Sequence, residues 1–176
     1  MRLAFGGKAC SGKTTAANFM AEKYGFKVIK FAQPIYDILK VLEIPKSRRI
    51  MQSIGKVLRE WDPNIFIHLM DRYLYMKEQY PKLIVDDVRM DNEVLFLKDK
   101  GFRLILIISD DEIRKQRAHD LGLEWNDDDE TEREFKFIDK FHYIITNDSS
   151  LDVLYEKLET IYRKEKERME NEVYDY

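Results

Sequence analysis

The eight residues Gly7-Lys8-Ala9-Cys10-Ser11-Gly12-Lys13-Thr14 constrain this chain more than any other part of it. They satisfy the spacing G-x-x-x-x-G-K-[ST] and stand between an apolar run, Leu3-Ala4-Phe5, and a helical stripe of Ala16, Ala17, Met20 and Tyr24. In that context the glycines let the backbone turn tightly, so that successive N–H groups converge on phosphate oxygens beside the positive end of a helix. Lys13 is then placed to reach the β and γ phosphates, and the Thr14 hydroxyl to hold Mg²⁺. The expected nucleotide-binding residues are Gly7, Ala9, Cys10, Ser11, Gly12, Lys13, Thr14 and Thr15. Lys8 and Cys10 occupy variable positions of the loop. Cys10 reads either as a thiol with some thiolate character at a helix N-terminus or as a small loop filler.

The remaining pattern repeats the opening one, a short apolar run followed by helical periodicity, which is the signature of a parallel sheet wrapped by helices. Five strands are expected: Leu3 to Phe5, Phe26 to Phe31, Leu83 to Val85, Leu104 to Ile108, and Tyr143 to Thr146. Gly25 is placed to end the first helix. Between the second and third strands, residues 34–79 read as a helical insertion. Ile35, Ile38, Leu39 and Leu42 form one stripe, and Ile50, Met51, Ile54, Val57 and Leu58 form another after Pro45. A third helix opens at Asp62-Pro63 as N-cap and first residue. Asp91 is expected to cap a short helix that Gly101 ends, and another runs from Asp111 to Gly122. Ser149 or Ser150 is expected to cap the last helix, which frays from Arg163 on.

Composition narrows the function classes. A chain of 176 residues is the size of one domain, spanning 1–176 here. Its net charge of −3 gives no overall positive field, so nucleic-acid polymers are not expected partners, and any anionic ligand must be met by local cations. The lone Cys10 excludes an internal disulfide, and the start MRLAFGG lacks the apolar core of a signal peptide. A cytoplasmic protein is expected. No apolar run is long enough for a membrane span, and a monomer or a homodimer is expected. A GTP switch would need Asn-Lys-x-Asp and Asp-x-x-Gly, and neither occurs. The histidines share no metal-ligand spacing, and the acidic run Asp127 to Glu132 lacks the glycine of a calcium loop.

Further candidates follow from placement. Asp86 and Asp87 end the third strand, on the side where ligands of parallel sheets gather, and either can orient Mg²⁺. Arg89 behind them suits a monophosphate. Arg48, Gln52 and Arg59 recur at four and seven residues, on one helical face, where they bind an acceptor phosphate or lie solvated. Trp61 and Phe66 stack on a base or belong to the core. Arg114 and Arg117 fit a lid, over about 114–135, whose cations offset charge on a transferred phosphoryl group. The acidic segment closes over the site, pairs with these arginines, or is a solvated loop.

Taken together, GKACSGKTTAA, FAQPIY, RRIMQSIGKVLREWDPNIF, IVDDVRMDNEVLFL and YIITND resemble the phage-type deoxynucleoside monophosphate kinases and, more distantly, animal-type phosphomevalonate kinases, over nearly the whole chain. The resemblance implies a P-loop kinase fold: a three-layer α/β/α sandwich with a five-stranded parallel sheet, a helical acceptor-binding insertion and a short lid. It implies transfer of the γ-phosphoryl group of ATP, with Mg²⁺, to a (deoxy)nucleoside 5′-monophosphate. By position, Lys13 and Thr14 serve ATP·Mg²⁺, and Asp86 or Asp87 sits near the metal. Arg48, Gln52, Arg59, Asp87 and Arg89 fall to the acceptor, Arg114 and Arg117 to the lid, and Asn147 to the adenine pocket. Two departures bear on the acceptor: the second half of the insertion is short, and GLEWNDDDETE resembles the phosphomevalonate-type lid. Kinases of phosphomevalonate or dephospho-coenzyme A, and a non-catalytic ATP-binding regulatory module, are the competing readings.

Overall fold

The computed structural model describes residues 1–77, 79–123, 125 and 135–174. Its sheet has five parallel strands in the order β2-β3-β1-β4-β5, with β1 Arg2–Gly6, β2 Lys27–Ile29, β3 Leu83–Val88, β4 Arg103–Ile108 and β5 Tyr143–Thr146. Every strand pair is parallel. Such a sheet must be covered on both faces. One face buries Leu3, Phe5, Ile105 and Ile107 under α1 (Lys13–Tyr24) and α7 (Leu151–Tyr174). The other buries Ala4, Val85, Leu104 and Leu106 under α2 (Gln33–Val41), α3 (Arg48–Trp61), α4 (Ile65–Met76) and α5 (Asp91–Asp99). Helix α6 spans Asp111–Asp120. This is the three-layer architecture expected from the alternation of apolar runs and helical stripes. Among the described residues, no helix is long and apolar enough to cross a membrane.

Several element ends differ from the sequence reading, each for an identifiable reason. Strand β2 stops at Ile29, because the N–H groups of Phe31 and Ala32 donate to the Asp87 carboxylate, at 2.9 Å each, instead of to a ladder. Asp86 and Asp87 accordingly lie within β3 rather than after it. Asp62 does not cap α4. It closes α3, and its carboxylate accepts from Asn64 N in a local turn, which leaves Asn64 at the cap position. Asp91 is the first residue of α5 rather than its cap. The end is closed by Glu93, whose Oε2 accepts from Met90 N at 3.0 Å. On α2, Ile35 and Leu39 are buried, but Ile38 and Leu42 are exposed, so only half of the expected stripe faces the core.

The C-terminal helix also departs from expectation. It does not fray at Arg163 but continues to Tyr174, because Glu165, fully buried, locks it to the starts of two strands. Its carboxylate accepts from Arg103 Nε at 2.8 Å, Tyr143 Oη at 2.7 Å and Arg168 Nε at 2.8 Å. Burial opposes the charge on Glu165, but these three donors outweigh it and hold the carboxyl below its ordinary value. Beside it, His142 Nδ1 accepts from Leu104 N at 2.9 Å, so the ring joins β4 to the approach of β5.

Replacing Glu165 by Ala should cost about 2 kcal/mol at neutral pH, the worth of hydrogen bonds to a charged group, as read by urea unfolding. Because the folded-state pKa lies below the unfolded value, this stabilisation is present above the unfolded pKa and lost as pH falls through the folded one. The gap between wild type and Glu165→Ala should therefore narrow in acid. A gap of constant size would contradict the charged assignment.

Candidate active site

The loop between β1 and α1 sits at the carboxyl end of the central strand, and its carbonyls form a complete ledger. Lys13 Nζ donates to Gly7 O at 2.6 Å and Lys8 O at 2.7 Å. Ala9 O accepts from Arg114 Nη1 at 3.1 Å, Cys10 O from Arg117 Nη1 at 3.3 Å, and Ser11 O from Asn147 Nδ2 at 2.8 Å. Gly12 O accepts from Ala16 N at 2.9 Å, inside the first turn of α1. Six consecutive carbonyls are thus held by three cations, an amide side chain and the helix. A loop whose carbonyls are held from outside is disposed to offer its amides to an anion. Two positions have no room for a side chain. A Cβ on Gly7, at φ 141°, would lie 2.2 Å from Ile107 O, and one on Gly12, at φ 106°, would lie 2.2 Å from Asn147 Nδ2. Cys10 adopts φ 59°, a left-handed conformation that strains any residue with a Cβ. Ser11 Oγ is buried without a hydrogen-bond partner among the described residues.

At the start of α1, Thr14 Oγ1 donates to Asp86 Oδ2 at 3.2 Å. Asp86 is 2% exposed, and Lys30, from the end of β2, places its ammonium against both carboxylate oxygens at 2.5 Å. A hydroxyl and a carboxylate side by side are the hard oxygen donors that suit Mg²⁺, which is normally held by one or two protein groups together with phosphate oxygens. Among the described residues no cluster of three or more His, Cys, Asp or Glu could hold a metal alone. Alternation along β3 sends the neighbouring Asp87 to the other face. There burial, and next the charge of Asp86, push its carboxyl above the ordinary range, against the two N–H donors from Phe31 and Ala32.

On that face lies a cavity of about 550 Å³ bounded by the loop at Ala9 and Cys10, by β3 and by the insertion helices. Arg48, Gln52, Arg59, Asp87 and Arg89 all line it, together with Lys46 and Tyr36. Gly55, one turn before Arg59 on the same helix, leaves room for that side chain: a Cβ there would lie 3.3 Å from Arg59 Nη1. The Arg59 guanidinium lies 5.0 Å from the ring centroid of buried Phe66, a cation–π arrangement that orients it. Glu93, also in the wall, accepts from Arg89 N at 2.7 Å and so fixes the backbone that carries Arg89. Its pKa is raised to about 7, by burial first and then by the charge of Asp87, against backbone hydrogen bonds. Glu93 and Lys30 were not singled out from the sequence. No sequence signature marks Glu93, since the residue three positions before it is Met90 rather than the Ser or Thr of a capping box.

Other residues stand elsewhere than expected. Asn147 lines neither of the principal cavities. Its amide holds the loop at Ser11 from beneath, so its observed role is support of the loop. Arg114, 1% exposed, is packed against the loop and Asp111 Oδ1 at 2.7 Å, with Trp125 facing its guanidinium at 5.0 Å. Arg117 spans Cys10 O and Asn147 O, the latter at 2.8 Å. Both arginines therefore sit on a helix docked to the loop. Of the expected lid, Glu124 and residues 126–134, including the run Asp127 to Glu132, lie outside the described residues. Trp61 is 79% exposed and belongs neither to the core nor to the cavity wall. Thr15 lies in the first turn of α1.

Two substitutions probe this geometry. Cys10→Gly should raise stability by about 1 kcal/mol through relief of the left-handed strain, while Cys10→Ala should not, in parallel thermal melts. Glu93→Gln should flatten the pH dependence of stability. With a folded-state pKa of about 7 against 4.5, the wild-type carboxyl contributes stability below pH 4.5 that is lost as pH rises through 7, on the order of 3 kcal/mol. Urea unfolding from pH 4.5 to 8 should show that fall in the wild type and not in Glu93→Gln.

No protein-family profile matches the chain. It is 28% identical, over an alignment of 187 residues covering 87% of this chain and 91% of the other, to a protein of Acanthamoeba polyphaga mimivirus named "Putative deoxynucleotide monophosphate kinase". In shape it is similar to shikimate kinase from Acinetobacter baumannii, solved in complex with shikimate, with a TM-score of 0.60, 15% identity and coverage of 94% and 95%. It is also similar to deoxyadenosine kinase from M. mycoides, solved with bound dATP, with a TM-score of 0.53, 14% identity and coverage of 93% and 98%. The five-stranded parallel sheet with helices on both faces is the fold of the P-loop kinases.

Proposed function

We propose that this chain is an ATP-dependent kinase of a small phosphorylated acceptor, and that the acceptor is a (deoxy)nucleoside 5′-monophosphate. The observation that carries the reading is the arginine-lined cavity opening beside the loop at Ala9 and Cys10. A triphosphate tail seated on the loop and a monophosphate held by Arg48, Arg59 and Arg89 would meet across that boundary. The protein's net charge is −3, so only clustered cations can bring two such anions together. The cavity volume is in the range of small-molecule sites, and its walls at Phe31, Tyr36 and Phe66 offer aromatic surface to a base. The name of the mimivirus relative supports a nucleotide acceptor.

The chemistry asks little of the side chains beyond positioning and charge. An oxygen of the acceptor phosphate forms the new bond to the γ-phosphorus, and the bond from that phosphorus to the β,γ-bridging oxygen breaks, leaving ADP. A phosphate monoester is mostly dianionic at neutral pH, so the attacking oxygen has no proton to remove and no general base is required. Lys13, at the mouth of the loop, would swing from the Gly7 and Lys8 carbonyls to the β and γ oxygens. Thr14 and Asp86 would hold Mg²⁺, which when bound offsets charge on those oxygens. Arg114 and Arg117 would stiffen the loop and lend it positive potential.

Coupled ADP-release assays should show turnover with nucleoside or deoxynucleoside monophosphates and weaker turnover with phosphomevalonate and dephospho-coenzyme A. ADP release that no acceptor stimulates would refute the kinase reading and favour a regulatory ATP-binding module. A preference for phosphomevalonate or dephospho-coenzyme A would overturn the acceptor assignment alone. Lys13→Ala should lower kcat by about 100-fold or more, and should also lower the melting temperature, because the Gly7 and Lys8 carbonyls lose the ammonium that holds them.

A further inference from the structure

Lys30 belongs to none of the expected site residues, yet it makes the closest charged contact in the centre of the site. Ile29 pairs with Val85 in the parallel ladder between β2 and β3, so the next residue of each strand, Lys30 and Asp86, stand side by side. The Lys30 ammonium lies 2.5 Å from each oxygen of Asp86. The side chain of Asp86 is 1% exposed and that of Lys30 is 28% exposed. A carboxylate so deeply buried needs charged or hydrogen-bonding partners to offset its loss of water. Among the described residues its side-chain partners are the neutral Thr14 Oγ1 and the Lys30 ammonium, so the compensating charge there is that of Lys30. Lysine, unlike arginine, carries a compact charge on a flexible stem, and this one has a route to solvent.

We infer that Lys30 is a positioning residue that holds the Asp86 carboxylate in place beside Thr14, and that it competes with the divalent cation for that carboxylate, thereby setting how much metal the site requires. This inference rests on the proposed kinase reading. The physical argument is exclusion. The two oxygens that the ammonium occupies are those a metal at Thr14 would share, and two cations cannot hold one carboxylate at contact distance without strong mutual repulsion. Metal uptake therefore works against the ammonium, and the part of the ion pair's free energy that is lost as the ammonium gives way is subtracted from metal affinity. By linkage, weakening the pair strengthens metal uptake by the same factor.

The test is Mn²⁺ uptake by the intact chain, followed by electron paramagnetic resonance in the presence of a β,γ-methylene ATP analogue, so that no turnover occurs. Lys30→Met should take up Mn²⁺ at a several-fold lower concentration than the wild type, and without metal it should melt at a lower temperature. Lys30→Gln carries the same expectation and serves if the Met variant does not fold. Lys30→Arg should keep both the wild-type metal requirement and the metal-free melting temperature. Equal or weaker uptake in the neutral variants would overturn the inference, and loss of turnover with an unchanged metal requirement would instead assign Lys30 to the transferred phosphoryl group. Wild-type protein that takes up no Mn²⁺ with the analogue would count against the kinase reading itself.

Discussion

The site depends on one constraint: a loop that is to present amides to an anion must have its carbonyls satisfied from elsewhere. Here the six carbonyls from Gly7 to Gly12 are held by Lys13, Arg114, Arg117, Asn147 and the first turn of α1. The donors come from three separate elements, so the loop's shape is a tertiary property rather than a local one. Among the described residues, Arg114 is the largest fully buried side chain. Burying a guanidinium is costly unless it is well bonded, and here the bonds to Ala9 O and Asp111 offset that cost while fastening α6 to the loop. The same burial brings fixed positive charge beneath the proposed triphosphate seat.

Strand β3 joins the two halves of the site through adjacent residues of opposite orientation. Asp86 faces Thr14 and Lys30, and Asp87 faces the cavity and clasps the chain leaving β2. Because they are neighbours, their charges interact. That interaction, after burial, contributes to the upward displacement of the Asp87 pKa. Glu93 continues the pattern, a buried carboxyl in the same wall whose hydrogen bonds go to backbone N–H groups. The acceptor cavity thus has arginines for its ligand and acids for its own scaffold. The proposed positive surface is arranged by carboxyl groups behind it.

The strands, the loop and the first helix were legible because their signals are local: apolar runs of strand length, glycine spacing and helical stripes. The cavity residues Arg48, Gln52 and Arg59 were legible through helical spacing, and the structure brings them together with Asp87 and Arg89. Long-range partnerships were not legible. Arg114 and Arg117 read as lid cations because nothing near them in the chain shows that Ala9 and Cys10, more than a hundred residues earlier, supply their acceptors. Glu165 looked like part of a charged tail because its partners, Arg103 and Tyr143, begin two distant strands. Lys30 sat unnoticed at the end of an apolar run, since only strand register reveals that it adjoins Asp86.

The close approach of Gly12 to Asn147 has a consequence for how such a chain can vary. The amide fills the space that any side chain at position 12 would need, and in doing so it supports the carbonyl of the preceding residue. Neither position can drift independently: enlarging the first evicts the amide, and shrinking the second orphans a carbonyl without admitting a bulkier neighbour, whose φ would still be forbidden. Two sites 135 residues apart in sequence are therefore frozen as a unit, and the freedom to diverge is left to the insertion helices, whose cavity-facing side chains can change without disturbing the loop's anchorage.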